Sequence, residues 1–181
     1  VEPVAPNHGV RVAKLSMIEW SKIPDNRKDF LVDHLGTAPQ IQLGKAPGEH
    51  VAVQWTGFLD VPKDELYRFA LSSDDGSKLW IDGQVVVDND GLHGGDPMDV
   101  EVALRGGYHR LRLEYFQGGG GKGISLKWAR PGSKGLEIIP QSNFASHRAD
   151  LPEGAVSMGG AKGNMIPGDG APLLDVHPGF T

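Results

Sequence analysis

The sequence predicts an all-β fold: an antiparallel β-sandwich over about residues 9–145, followed by an irregular tail at 146–181. Three observations predict it. Apolar residues alternate with period two through the middle of the chain, as half-buried strands require. Turn dipeptides, Asp82-Gly83 and Gly106-Gly107, interrupt that alternation at hairpin spacing. The composition, 26 glycines and 13 prolines in 181 residues with 39% hydrophobic residues, suits many short strands and turns rather than long helices.

Taken in order, Val10 to Leu15 reads as a strand, and the connection from Trp20 to Leu35 carries Pro24 and one helical turn. Gln40 to Leu43 reads as a short strand. Val51, Val53, Trp55, Gly57 and Leu59 share one strand face, and Tyr67, Phe69 and Leu71 form the inward face of the next strand. Leu79 and Ile81 lead into Asp82-Gly83, with residues 84–87 returning as a hairpin. Val100, Val102 and Leu104 approach Gly106-Gly107, and Leu111, Leu113 and Tyr115 leave it as a second hairpin. Strands at 124–128 and 136–139 complete the sandwich. Trp55 and Trp128 are assigned to the core and His109 to the surface, while Trp80 and Trp20 are left open between core and surface.

From about residue 146 the texture changes. Glycines and prolines alternate there with almost no apolar periodicity, so the segment cannot bury enough surface by itself to offset its ordering entropy. It reads as a linker or docking tail, ordered by contact with the sandwich or with another domain or subunit. Leu173, Leu174, Val176 and Phe180 would supply that contact.

Composition also excludes function classes. A formal charge of −5 with lysines and arginines scattered singly provides no patch to displace phosphate counterions, which argues against nucleic acid. With no cysteine there is no disulfide scaffold, thiolate nucleophile or Cys-ligated zinc, and the seven histidines form no zinc-like cluster. No apolar run is long enough to span a bilayer. The start, Val1-Glu2-Pro3-Val4, has no basic n-region or apolar h-region, as in a processed protein or an excised domain. There is no G-x-S-x-G, P-loop or dinucleotide fingerprint, and Asp74 and Asp75 are neighbours rather than carboxylates facing each other across a glycosidase cleft. A binding role is therefore expected in place of a catalytic one.

The chemistry concentrates in Ser72-Ser73-Asp74-Asp75-Gly76-Ser77. Adjacent carboxylates repel unless a cation lies between them, and Ca²⁺, with six to eight oxygen ligands, is the usual occupant. Asp-Asp-Gly is equally ordinary turn chemistry, the aspartates bonding local N–H groups. A second polar loop, residues 88–97, opens Asp88-Asn89-Asp90-Gly91 and lacks the distal acidic ligand of a calcium loop, so it reads as an Asx-turn connection. A third, Gln117-Gly118-Gly119-Gly120-Gly121-Lys122, offers one side-chain amide oxygen and several bare carbonyls.

Residues 53–59, the run from Tyr67 to Gly83 and the run from Leu104 to Phe116 occur in the order of the PA14 domain family, which this chain resembles over about residues 9–145. The resemblance implies a jelly-roll-like sandwich serving as an extracellular or periplasmic carbohydrate-binding module. It implies Ca²⁺ at Asp74 and Asp75, joined by a cis peptide, with further oxygens from Gln117 and Gly119. It also implies a glycan or polysaccharide ligand among Asp74, Asp75, Asn89, His93, Gln117, Gly118 and Lys122. The glycine run departs from the Asn or Asp that adhesins of the family carry on this loop. Residues 172–181 resemble the linker between such a domain and a sugar-dehydrogenase-like β-propeller, implying one module of a larger protein. The competing reading is a structural or docking domain of a secreted assembly without sugar binding.

Overall fold

The computed structural model describes residues 8–24, 34–43, 49–130, 132–147 and 151. Among these residues eleven strands form two antiparallel sheets: β1 (Val10–Leu15), β2 (His34–Ala38), β3 (Val51–Val61), β4 (Glu65–Asp74), β5 (Ser77–Ile81), β6 (Gln84–Asn89), β7 (Met98–Leu104), β8 (Gly107–Gln117), β9 (Gly123–Ala129), β10 (Glu137–Ile138) and β11 (Phe144–Ala145). The larger sheet runs β2-β1-β3-β8-β5-β6, with β11 also on β3, and the smaller runs β10-β9-β4-β7. Among the described residues the only helical element is one 3-10 turn, Gln141–Asn143. The tail and residues 25–33, where the helical turn was expected, lie outside the described residues except at 146, 147 and 151, and 20–24 are not helical.

Alternation builds the core. Val53, Trp55 and Leu59 from β3 and Leu111, Leu113 and Tyr115 from β8 point inward to meet Tyr67, Phe69 and Leu71 of β4 and Trp128 of β9. Trp128 stacks on Tyr67 with ring centroids 5.7 Å apart. A smaller cluster of Ile18, Ile23, Ala52 and Phe116 lies beside this core, with Trp20 edge-on to Phe116.

The hairpin at Asp82-Gly83 forms as predicted: φ is +51° and +82° at the two turn residues, the left-handed pair whose twist suits adjoining antiparallel strands. The second expected hairpin does not. β7 pairs with β4 in the small sheet, whereas β8 is flanked by β3 and β5 in the large one, so the chain at Gly106-Gly107 crosses between sheets. Both edges of β8 are occupied and cannot accept β7. The crossing is tight: Gly106 N–H donates to Asp64 Oδ1 at 2.8 Å, and a Cβ on Gly106 would lie 3.0 Å from Lys63 Cα.

Three further expectations need correction. The strand expected at Gln40–Leu43 is replaced by β2, which ends at Ala38 because Pro39 has no N–H to extend the ladder; Ile41 still packs inward from a bend. The last expected strand shrinks to Glu137–Ile138. His109 is wholly buried, because Asp82 and the Arg105 carbonyl satisfy its ring at 2.5 and 2.7 Å. Trp80, on the outer face of β5, is covered by the Arg112 guanidinium 4.0 Å above its ring.

Candidate functional site

Because β4, β7 and β9 lie in the smaller sheet and β5, β6 and β8 in the larger, three connections cross between the sheets at the same end of the sandwich: 75–76 (β4 to β5), 90–97 (β6 to β7) and 118–122 (β8 to β9). Topology therefore gathers the three loops singled out in the sequence. The register places them: Asp74 lies opposite Gly123, Ser77 lies opposite both Tyr115 and Asn89, and Val51 lies opposite Gln117.

Asp74 and Asp75 are joined by a cis peptide bond. The Asp75 carboxylate is buried and its Oδ2 accepts the Gly118 N–H at 2.8 Å. The Asp74 carbonyl accepts the Tyr115 hydroxyl at 2.6 Å. Burial first, then the charges of Asp74 and Asp75, push Tyr115 up to about 12, while a backbone hydrogen bond at Gly123 acts against them. Tyr115 was legible only as core; its hydroxyl needed a partner, and that need was the missed signal.

The glycine loop is moulded to the carboxylates. A Cβ on Gly121 would come within 2.7 Å of Asp74 Oδ2, and one on Gly118 within 3.3 Å of Asp75 Oδ2. Gln117 is fully buried, its Nε2 donating to the Gly120 carbonyl at 3.3 Å and its Oε1 lying 3.4 Å from the Tyr115 hydroxyl. It braces the loop from beneath and does not project an oxygen from it. Gly119 and Lys122 are exposed on the loop, with open space where a Gly119 side chain would go.

The 90–97 loop stands beside them. Asn89 turns its amide inward, toward Ser73 Oγ at 3.3 Å and the Leu71 carbonyl at 3.5 Å, while Ser73 and Ser77 hydroxyls meet at 2.6 Å. Its side chain is thus part of the scaffold, where the sequence had it facing a sugar, because its β6 position points between the sheets. His93 spans its own loop, with Nε2 2.7 Å from the Asn89 carbonyl and Nδ1 2.6 Å from the Gly94 carbonyl. Ser72 Oγ donates to the Gly95 carbonyl, fixing the loop to β4. Asp90, unassigned from the sequence, accepts the Ile23 N–H at 2.9 Å and so ties the N-terminal segment to this end. Leu92 is 61% exposed and reaches toward Gly118, putting one apolar side chain on the rim.

Burial by itself would lower the His93 pKa, but the carbonyls of Asn89 and Gly94 and the negative charges of Asp75 and Asp74 outweigh it, leaving the value above the ordinary 6.5. A raised folded-state value means that the His93 contribution to stability is fully present below the unfolded pKa and is lost as pH rises through the folded one. In an NMR pH titration the His93 ring resonances should move at higher pH than an ordinary histidine. Asp75→Asn should bring that midpoint down, and a midpoint unmoved by the substitution would contradict the electrostatic assignment.

As a cation site the arrangement offers hard oxygens only. Among the described residues no three His, Cys, Asp or Glu side chains cluster closely enough to hold a metal, so any ion would need the two carboxylates together with backbone carbonyls of the glycine loop. That donor set suits Ca²⁺ and disfavours zinc.

The PA14 domain family model matches residues 38–142, more than half of the chain. The chain belongs to this family. A solved PA14 sugar-binding domain from an RTX adhesin superposes with a TM-score of 0.64 at 20% identity, covering 78% of this chain and 99% of that one. A solved anti-sigma factor domain-containing protein gives a TM-score of 0.65 at 23% identity, with 81% of this chain covering 51% of that one. In sequence, anti-sigma-I factor RsgI3 of Acetivibrio thermocellus is 28% identical over 149 residues. Those residues are 80% of this PA14 chain and 22% of RsgI3, so the chain spans about a fifth of that relative's length. The structural likenesses agree with the sandwich fold. Among the described residues no helix is long and apolar enough to cross a membrane.

Proposed function

We propose that this PA14 domain is a non-catalytic, Ca²⁺-dependent carbohydrate-binding module of a larger extracellular protein. The observation that carries this reading is the close fit of the 118–121 glycine backbone over the paired carboxylates of Asp74 and Asp75. A bound Ca²⁺ would supply a positive centre able to coordinate vicinal sugar hydroxyls. Asp74 and Asp75 supply the negative charge, and carbonyls of the glycine loop, Gly119 among them, complete the shell. Gln117 and Tyr115 hold that loop and the Asp74 peptide in position. Lys122 and Leu92 stand on the rim as a hydrogen-bond donor and an apolar contact, where a pyranose presents hydroxyls and a C–H face, and His93 braces the 90–97 loop through the Asn89 and Gly94 carbonyls. The named sugar-binding domain of the RTX adhesin supports the ligand class, and the small share of RsgI3 that the chain spans supports a module within a longer protein.

The test is calcium-dependent stabilisation followed by a glycan array. At a hundredfold excess over Kd, a ligand of the folded state alone adds about 2.7 kcal/mol, and the melting temperature of a domain this size should rise by about 5–10 °C. Asp74→Asn should abolish most of that rise. Gly121→Ala should do the same, since its Cβ displaces the Asp74 carboxylate, yet it should leave the calcium-free melting temperature nearly unchanged because the displaced atom ends a side chain. Asp75 is a poorer choice, its removal stranding the Gly118 N–H. No calcium-induced shift together with an empty array at saturating calcium would leave the domain a structural or docking unit.

A further inference from the structure

A second recess lies against the glycine loop. Ser16, Met17, Glu19, Glu49, His50 and Val51 line an open cleft of about 490 Å³, inside the roughly 300–1,000 Å³ range of small-ligand sites. It is linked to the carboxylate site by a chain of three hydrogen bonds. Ile18 N–H donates to the His50 carbonyl at 2.9 Å, His50 N–H donates to the Gly118 carbonyl at 3.1 Å, and Gly118 N–H donates to Asp75 Oδ2 at 2.8 Å. One residue, Gly118, thus faces the carboxylates with its amide and the cleft segment with its carbonyl.

Two of the cleft residues have an unusual backbone. Met17 and His50 have φ of +59° and +57°, left-handed values that cost non-glycine residues about 1 kcal/mol or more and that cluster at ligand sites. Met17 is 91% exposed, so no packing among the described residues accounts for a methionine there in place of glycine. It stands over the cleft as a flexible apolar contact. Glu19, Glu49 and His50, all exposed, place hydrogen-bonding groups around it. An apolar contact ringed by carboxylates and an imidazole matches one saccharide unit, with a C–H face and peripheral hydroxyl donors, better than a peptide or a phosphate.

We infer that this cleft is a second saccharide subsite, taking the unit next to the one held at Asp74 and Asp75, so that the domain selects an oligosaccharide over its terminal monosaccharide. The inference rests on the sugar-binding reading, and its test separates the two. Binding of methyl glucoside, galactoside and mannoside, and of the di- and trisaccharides that end in each, is measured by calorimetry on the full chain at saturating calcium. Wild type should bind one oligosaccharide series about tenfold more tightly than its methyl glycoside. Met17→Gly, which relieves the left-handed backbone, should erase that preference without lowering the melting temperature or the methyl glycoside affinity. His50→Asn, tolerated at positive φ and retaining the N–H to Gly118, should weaken the preference in part. Equal wild-type affinity for mono- and oligosaccharides, or an unaltered preference in Met17→Gly, overturns the subsite while the sugar reading stands. Wild-type binding to none of the probes overturns both.

Discussion

His109→Ala is expected to lower the free energy of unfolding by about 3–5 kcal/mol, the cost of leaving a buried carboxylate and a buried carbonyl without their shared partner. His109 and Asp82 are both fully buried at the end of the sandwich opposite the candidate site. Asp82 Oδ1 accepts the Arg110 N–H at 2.9 Å, Oδ2 meets His109 Nδ1 at 2.5 Å, and His109 Nε2 meets the Arg105 carbonyl at 2.7 Å. Two connections and a strand converge on this cluster: the β5–β6 turn through Asp82, the sheet crossing through Arg105, and the start of β8. Without the imidazole, Asp82 keeps one donor and the Arg105 carbonyl loses its partner, in a place water does not reach. Denaturant titration should show a lower midpoint with an unchanged slope, and the melting temperature should fall by about 6–20 °C. Asp82→Asn keeps an amide that tolerates positive φ and should cost less than His109→Ala. A loss below about 1 kcal/mol for His109→Ala would mean that water reaches the vacated space and the pair is not a structural anchor.

That cluster also shows where sequence reading stops. The strands were legible because each is written in period-two apolar residues: Val53, Trp55 and Leu59, or Leu111, Leu113 and Tyr115, announce their own burial. The Asp82-Gly83 turn was legible for a local reason, two consecutive left-handed residues. Pairing was not. Gly106-Gly107 has the composition of a hairpin, but whether β8 accepts β7 depends on β3 and β5 already occupying its edges, and nothing within the local run encodes that. His109 was placed opposite the apolar face of its strand, although it shares the parity of Leu111, Leu113 and Tyr115; what the local run does not show is the partner that lets it face inward. A polar residue on the inward side of a strand reads as an exception until a distant carboxylate supplies its partner, and Asp82 is 27 positions away.

The candidate site divides similarly. Asp74-Asp75-Gly76 and the glycine run were visible as motifs, and the crossing topology brings them together. What the motifs hid was the division of labour inside each loop. Gln117 and Asn89 have the side-chain chemistry of ligand contacts, yet strand parity turns both into the sandwich, where they hold loops for others. Glycines that looked like plain flexibility prove to be clearance for carboxylates at Gly118 and Gly121.

Gly76 is the position where fold and site are most closely joined, and Gly76→Ala should damage both. A Cβ there would lie 2.5 Å from Phe116 Cε1, 2.6 Å from the Gly91 nitrogen and 2.8 Å from the Gly91 oxygen. The ring can move; the Gly91 backbone can yield only if the 90–97 loop shifts, and that loop is fixed by Ser72, His93 and the Asp90 contact with Ile23. We expect a loss of about 3 kcal/mol, the upper end of what overpacking costs, and a melting temperature lower by about 6–12 °C. Because the shift moves His93 relative to Asp74 and Asp75, the His93 titration should fall back toward that of an ordinary histidine in the same variant. Gly94→Ala is the matched control: its Cβ meets nothing within 4 Å and its φ lies outside the left-handed region, so its stability should change by less than about 0.5 kcal/mol. Gly91→Ala should fall between them, free of clashes but held at φ +106°. The order Gly76, Gly91, Gly94 separates steric contact from backbone conformation as the cause. Equal losses at Gly76 and Gly94 would show that the 75–76 and 90–97 loops do not pack against each other in solution, and would remove the rim from the proposed binding site.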